Sequence, residues 1–86
     1  RVTLYTKIGC GSCVATRHAM ESRGVPFETV NVMDDDAALD AIKGLGYLTV
    51  PVVLVQDGDA AEHWGGFQLD RIADLAGKLR RQEIGE

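Results

Sequence analysis

The fold of this 86-residue chain is decided by the stretch Thr6-Lys7-Ile8-Gly9-Cys10-Gly11-Ser12-Cys13-Val14-Ala15-Thr16-Arg17. The stretch holds the only two cysteines, Cys10 and Cys13, where a strand-forming run changes to a helical pattern. A Cys-x-x-Cys motif beside a βαβ pattern is typical of a dithiol redox site. The first thiol is expected at a helix N-terminus, where unpaired backbone N–H groups and the helix dipole favour the thiolate. The second follows one turn later on the same side, within reach of the first.

Composition sets the class of molecule. The length indicates a single domain, residues 1–86, and a content of 45% hydrophobic and 26% charged residues is ordinary for a globular protein. A net charge of −4 without a run of Lys or Arg argues against nucleic acid as a partner. No apolar stretch approaches the roughly 20 residues that span a bilayer, and Arg1 opens directly into a strand pattern rather than a signal peptide. Two cysteines without an export signal indicate a reducing compartment, where a working dithiol is favoured over a structural disulfide, so a cytoplasmic protein is predicted. We also expect a monomer without a membrane partner.

The first half of the chain predicts a βαβ unit. Val2–Thr6 is predicted to form a strand, Gly11–Arg23 a helix and Phe27–Val32 a second, parallel strand. Gly24 and Pro26 are expected to end the helix between them.

The second half predicts one helix, a hairpin and a final helix. Asp34-Asp35-Asp36 caps a helix that Gly44 and Gly46 end, and we interpret the triplet as a cap rather than a metal site. The buried stripe of this helix is formed by Ala38, Ala41, Ile42 and Leu45. Apolar Val52–Val55 is a buried strand, which Ala60–Trp64 pairs in antiparallel fashion after a turn. The last helix carries Leu69, Ile72, Ala76 and Leu79 on one face, and the tail from Arg80 is expected to fray. The order βαβ-α-ββα, with helices on both faces of a four-stranded mixed sheet, predicts the thioredoxin fold.

The two cysteines are predicted to have different roles. Cys10 is the nucleophile because it precedes the helix, and Cys13, buried against the helix, is the resolving thiol. Lys7 lies just upstream and is either a further stabiliser of the thiolate or a solvated surface lysine. Gly11 and Ser12 leave the loop between the thiols less restricted than a proline-containing pair would.

Two further segments belong to the predicted site. Pro51 either simply starts a central strand or belongs to a loop that packs beside the dithiol in a thioredoxin fold. We favour the second interpretation, with a cis Val50–Pro51 bond that would aim the backbone of Val50 at an extended substrate peptide. Trp64-Gly65-Gly66-Phe67 forms the other segment, in which Trp64 is either part of the core or a surface anchor for a partner protein.

A metal site is a less favoured interpretation of the two cysteines than a redox site. Structural zinc usually needs four ligands, and neither His18 nor His63 has the spacing to complete a pair of cysteines. An iron–sulfur cluster shared between two chains is another alternative, because cluster ligands can come from outside the chain. We predict no bound metal or cofactor.

These residues together resemble the NrdH redoxins, which are glutaredoxin-like proteins. The matching segments cover nearly the whole chain: Val2–Lys7, Cys10–Cys13 with Ala15–Arg17, Ala19–Gly24, Gly46-Tyr47, Val50–Val53, and Trp64–Phe67 with Asp70 and Ile72. The resemblance implies electrons from NADPH through thioredoxin reductase and delivery to a class Ib ribonucleotide reductase. It also implies Cys10 and Cys13 as the redox pair, Val50 and Pro51 as the substrate loop, and Trp64–Phe67 as the surface that replaces a glutathione site.

The chain departs from the family pattern in two places. Gly11-Ser12 stands where the family typically has Val-Gln, and Gln68-Leu69 stands where Arg-Pro is usual. The second change is expected to weaken a polar network around Trp64. Glutaredoxins usually follow the glycine pair with acidic residues that hold glutathione, whereas in this chain Phe67 follows the pair. This difference argues against tight glutathione binding. The nearest rival interpretation is nevertheless a glutathione-dependent glutaredoxin, and an iron–sulfur carrier or a binding module with an incidental dithiol is a more distant one.

Overall fold

The computed structural model describes the backbone of residues 1–84 and the side chains of residues 1–81. Seven elements follow one another along the chain: β1 (Val2–Thr6), α1 (Gly11–Ser22), β2 (Glu28–Asn31), α2 (Asp36–Gly44), β3 (Val52–Asp57), β4 (Ala60–Gly65) and α3 (Leu69–Ile84). The predicted βαβ-α-ββα order and the thioredoxin fold are confirmed. None of the described helices is both long and apolar enough to cross a membrane.

The four strands form one mixed sheet in the order β2-β1-β3-β4. β1 runs parallel to β2 and antiparallel to β3, and β3 and β4 form the hairpin. The register aligns Tyr5 of β1 with Val52 of β3, and Val52 with Gly65 of β4. The end of β1, the start of β3 and the end of β4 therefore meet at one end of the sheet. We call this the dithiol end, because Cys10 follows β1 there.

Side chains that alternate along the strands build one core on each face of the sheet. One core lies under α1 and α3 and contains Leu4, Val53 and Trp64 with Met20 and Ile72. The other lies under α2, and its buried members are Cys13, Val32, Ala38, Ile42, Val50 and Val52. The apolar run Val52–Val55 of β3 contributes to both cores, as expected for a strand covered on both faces.

Local capping sets the helix ends. The N-cap of α2 is Asp35, whose Oδ1 accepts the Ala38 N–H at 3.1 Å, so one member of the acidic triplet has the predicted capping role. At the end of α1, Gly24 has a φ of +72°, and the Val25 N–H donates to the Met20 carbonyl at 3.0 Å. This Schellman pattern needs a left-handed residue, which explains the glycine.

Helix α3 extends past Arg80, the residue from which the tail is expected to fray. Helix α3 continues to Ile84 because residues 80–83 are good helix formers, and Arg81 in the last turn complements the helix dipole. Residues 85–86 of the predicted tail lie outside the described part of the chain.

Candidate active site

The cysteine pair lies where β1 passes into α1. Cys10 is the N-cap of α1, and its Sγ accepts the backbone N–H of Cys13 at 3.2 Å. The two cysteines are joined in a disulfide, with their Cα atoms 5.2 Å apart. Cys10 is half-buried, whereas Cys13 is only 2% exposed and belongs to the core under α2. The more accessible sulfur is therefore the one that caps the helix, in keeping with an attacking Cys10 and a resolving Cys13.

The first turn of α1 suits an anionic sulfur. Gly11 and Ser12 are exposed, and the Ser12 Oγ lies 3.5 Å from the Cys10 Sγ. The turn contains no acidic residue, so no carboxylate there opposes a thiolate. Beneath it, fully buried Thr16 donates through Oγ1 to the Ser12 carbonyl at 2.8 Å. This bond ties the exposed dipeptide to the body of the helix.

Lys7 is exposed in the loop between β1 and α1. It lines a cavity of about 230 Å³ between α1 and the first two strands, together with Cys13, Arg17 and Asn31. The polar contacts of the Cys10 sulfur, in contrast, are made by Cys13, Ser12 and Val50. The structure thus brings Lys7 to the dithiol end without a hydrogen bond to the nucleophile.

The predicted substrate loop lies opposite the nucleophile. The Val50–Pro51 peptide bond is cis, which confirms that prediction. The carbonyl oxygen of Val50 is 3.9 Å from the Cys10 Sγ, while the residue as a whole is 7% exposed. The Pro51 carbonyl accepts the Gly66 N–H at 2.9 Å, so the loop is tied to the glycine pair after β4.

Trp64 belongs to the core, and the surface-anchor interpretation is wrong. The residue is 2% exposed, because its register partner on β3 is fully buried Val53 and both side chains face α1 and α3. The Arg71 guanidinium lies 5.7 Å from the centre of the indole ring. The Trp64 Nε1 has no hydrogen-bond partner among the described residues.

The rest of this segment does reach the surface. Phe67 is 44% exposed, and Gly66 has a φ of +78°. Gln68 donates through Nε2 to the Gly65 carbonyl at 2.9 Å. The residue that departs from the family pattern therefore makes a bond of its own across the loop.

Sequence reasoning missed the contact of Tyr47 with His63 and Gly65. Its hydroxyl lies 2.6 Å from the Nδ1 of His63, and its ring lies against Gly65. The contact between Tyr47 and His63 joins residues 16 positions apart, and no local sequence pattern predicts it. His63 is thereby engaged by Tyr47. Among the described residues, no group of three or more His, Cys, Asp and Glu side chains converges on a metal position.

Together these residues form a half-exposed sulfur at a helix start, a buried partner sulfur and a cis-proline loop beside them. This arrangement can attack a disulfide, hold a mixed disulfide and release it by a second attack. It defines the class of dithiol-disulfide oxidoreductases with a thioredoxin fold.

Comparison with known proteins specifies the family. The glutaredoxin family model matches residues 2–60. The glutaredoxin-like protein NrdH of Escherichia coli K12 is 42% identical over 75 residues, covering 87% of this chain and 88% of that protein. The NrdH of Salmonella typhimurium LT2 is 44% identical over 74 residues, 86% of each chain. The solved Escherichia coli NrdH-redoxin, described as glutaredoxin-like with a thioredoxin-like activity profile, superposes with a TM-score of 0.75 at 41% identity over 87% of this chain and 93% of that one. The chain belongs to the glutaredoxin family, as one of its NrdH-type thiol-disulfide oxidoreductases.

Proposed function

We propose that the protein reduces disulfides in other proteins through Cys10 and Cys13. The Cys10 thiolate attacks one sulfur of the substrate disulfide and forms a mixed disulfide, and the other substrate sulfur leaves as a thiolate that takes up a proton. Cys13 loses its proton and attacks the Cys10 sulfur. This step releases the second substrate thiolate and forms the Cys10–Cys13 disulfide. Two electrons have then passed to the substrate, and an external reductase must return two to the pair.

The observation that carries this proposal is an apolar surface around the dithiol. Four large apolar side chains at the dithiol end or in the first turn of α1 are exposed: Ile8 (89%), Val14 (45%), Leu48 (91%) and Phe67 (44%). Exposed apolar side chains on the segments that flank a reactive group fit a protein surface better than a small charged peptide. Glutathione carries two carboxylates and one ammonium group, whereas the position after the glycine pair is held in this chain by Phe67.

The electron source and acceptor are proposed from the family resemblance. Electrons would come from NADPH through thioredoxin reductase and would pass to a class Ib ribonucleotide reductase or to other protein disulfides. The protein would act in the cytoplasm as a monomeric, single-domain carrier. It needs no bound cofactor for this exchange, because both electrons reside on its own sulfurs.

Two coupled assays test the proposal, both followed by NADPH consumption. In the first, the protein is supplied with thioredoxin reductase and insulin. In the second, it is supplied with glutathione, glutathione reductase and hydroxyethyl disulfide. We expect turnover mainly in the first assay and none in either assay with Cys10→Ser. Turnover mainly in the second assay would establish a glutathione-dependent glutaredoxin instead. Full activity of Cys10→Ser would overturn the dithiol mechanism itself.

A further inference from the structure

The side chain of Tyr47 connects the segment before β3 with the end of β4. Tyr47 lies between the end of α2 and the start of β3, and its backbone N–H donates to the Ile42 carbonyl at 3.0 Å. Its hydroxyl lies 2.6 Å from the Nδ1 of His63 on β4, and the two rings meet edge to face with centroids 5.4 Å apart. The ring therefore reaches from the connection after α2 to the last strand of the sheet.

Gly65 allows this close approach. A Cβ atom added to Gly65 would lie 3.0 Å from both Cδ1 and Cε1 of Tyr47, which is too close for an undisturbed contact. The ring thus packs directly on the backbone of β4 at Gly65. The next residue, Gly66, donates its N–H to the Pro51 carbonyl, so the ring packs beside the hydrogen bond that attaches the substrate loop to β4.

The loop between these two attachments is short. Residues 48–51 run from Tyr47 to the Pro51 anchor, and within them Val50 places its carbonyl 3.9 Å from the Cys10 Sγ. Leu48 and Thr49 are exposed, so their side chains do little to hold this segment. The Val50 side chain packs into the core under α2, so the position of its backbone relative to the nucleophile depends on that packing and on the two ends of the segment.

We infer that Tyr47 and His63 are positioning residues for protein substrates, which hold the Val50–Pro51 loop opposite Cys10 through their hydrogen bond and the contact with Gly65. The inference rests on the proposed function of the dithiol. The polar contacts of the Cys10 sulfur are made by Ser12, Val50 and Cys13 and not by Tyr47, so Tyr47 acts on the docking of an extended substrate and not on sulfur chemistry. A hydroxyl can donate or accept, so the pair can form with either neutral tautomer of His63.

The test removes only the hydroxyl. Tyr47→Phe should raise the KM for insulin about fivefold, the effect of losing one ordinary hydrogen bond, with little change in kcat. The stoichiometric reaction of the reduced variant with the small disulfide 5,5′-dithiobis(2-nitrobenzoate) should match the wild type, because that substrate does not pair with the loop. Amide hydrogen exchange at Gly66 should be faster in the variant. Tyr5→Phe is the matched control, since none of the hydrogen bonds of the described residues involves the hydroxyl of Tyr5.

Three further single variants and one double variant separate positioning from stability. Gly65→Ala displaces the ring without touching its hydroxyl and should raise the KM for insulin in the same way. His63→Ala should do so as well, and should add little to Tyr47→Phe in the double variant, because both remove the same bond. His63→Asn, which keeps a polar group near the Nδ1 position, should restore part of the affinity.

The outcomes distinguish this inference from the proposed function. A wild-type protein that cannot reduce insulin overturns the proposed function. An active wild type with an unchanged KM in Tyr47→Phe and Gly65→Ala overturns the positioning of the loop. An equal loss with insulin and with the small disulfide overturns it too, since that result indicates damage to the dithiol or to the fold.

Discussion

Replacement of Cys10 tests whether its Sγ atom both caps the N-terminus of α1 and acts as the nucleophile in disulfide exchange. The Cys10 Sγ accepts the Cys13 N–H at 3.2 Å, so the nucleophile is also the helix cap. Serine keeps an acceptor at this position and alanine does not. Loss of a Ser cap to Ala costs about 0.5–2 kcal/mol, typically about 1. For a chain of 86 residues, an unfolding entropy of about 2.1 cal/mol/K per residue converts 1 kcal/mol into about 5–6 °C of Tm.

We therefore expect reduced Cys10→Ser and Cys10→Ala to be equally inactive but to differ in Tm by about 4–8 °C, with the serine variant more stable. Both variants lack the disulfide, so the difference isolates the cap. Thermal unfolding is followed by circular dichroism in the presence of a phosphine reductant. Asp35→Ser and Asp35→Ala calibrate the measurement, because Asp35 caps α2 by the same geometry without any redox role. Equal Tm values for the two Cys10 variants, together with a clear difference for the Asp35 pair, would refute the capping role of Cys10.

Three other predictions concern the resolving thiol and the scaffold. Cys13→Ser should accumulate a mixed disulfide with insulin, visible by mass spectrometry as an adduct that a reductant removes; an adduct-free variant would show that Cys13 is not the resolving thiol. Ile42→Ala should lower the free energy of unfolding by about 2–5 kcal/mol in urea, because Ile42 is 1% exposed, whereas Ile8→Ala, at an 89% exposed site, should leave it unchanged. Gly24→Ala should cost about 1 kcal/mol through its φ of +72° alone, since a Cβ there meets no atom within 4 Å; an unchanged urea midpoint would contradict the left-handed cap.

The order of elements follows from local patterns and was predictable. Strand-forming alternation in Val2–Thr6, the stop signals Gly24 and Pro26, and the acidic cap before α2 each act within a few residues of the chain. The dithiol was predictable for the same reason, because two cysteines at a strand-to-helix junction carry their chemistry in their spacing. Helix α3 extends beyond its apolar stripe because its terminal polar residues are themselves good helix formers.

Tertiary contacts set the limit of what the sequence predicts. The neighbours of Trp64 in the short strand β4, His63 and Gly65, do not reveal which face of the sheet the indole lies on. The pairing of Trp64 with Val53 places the indole in the core. The Tyr47–His63 contact joins residues 16 positions apart through a ring seated on a glycine, so neither residue has a local signature. The bond of Gln68 to Gly65 depends in the same way on the shape of the turn before α3.

The burial of Trp64 gives the protein an internal optical reporter. It is the only tryptophan of the chain, and it lies in the core under α1 and α3, on the face of the sheet opposite the core that contains Cys13. Its emission should be that of an indole in an apolar environment and should shift to longer wavelength when the sheet separates from its helices. Folding can therefore be followed in real time by the fluorescence of Trp64 in the unmodified protein, without attaching a dye to either of the two sulfurs that carry out the reaction.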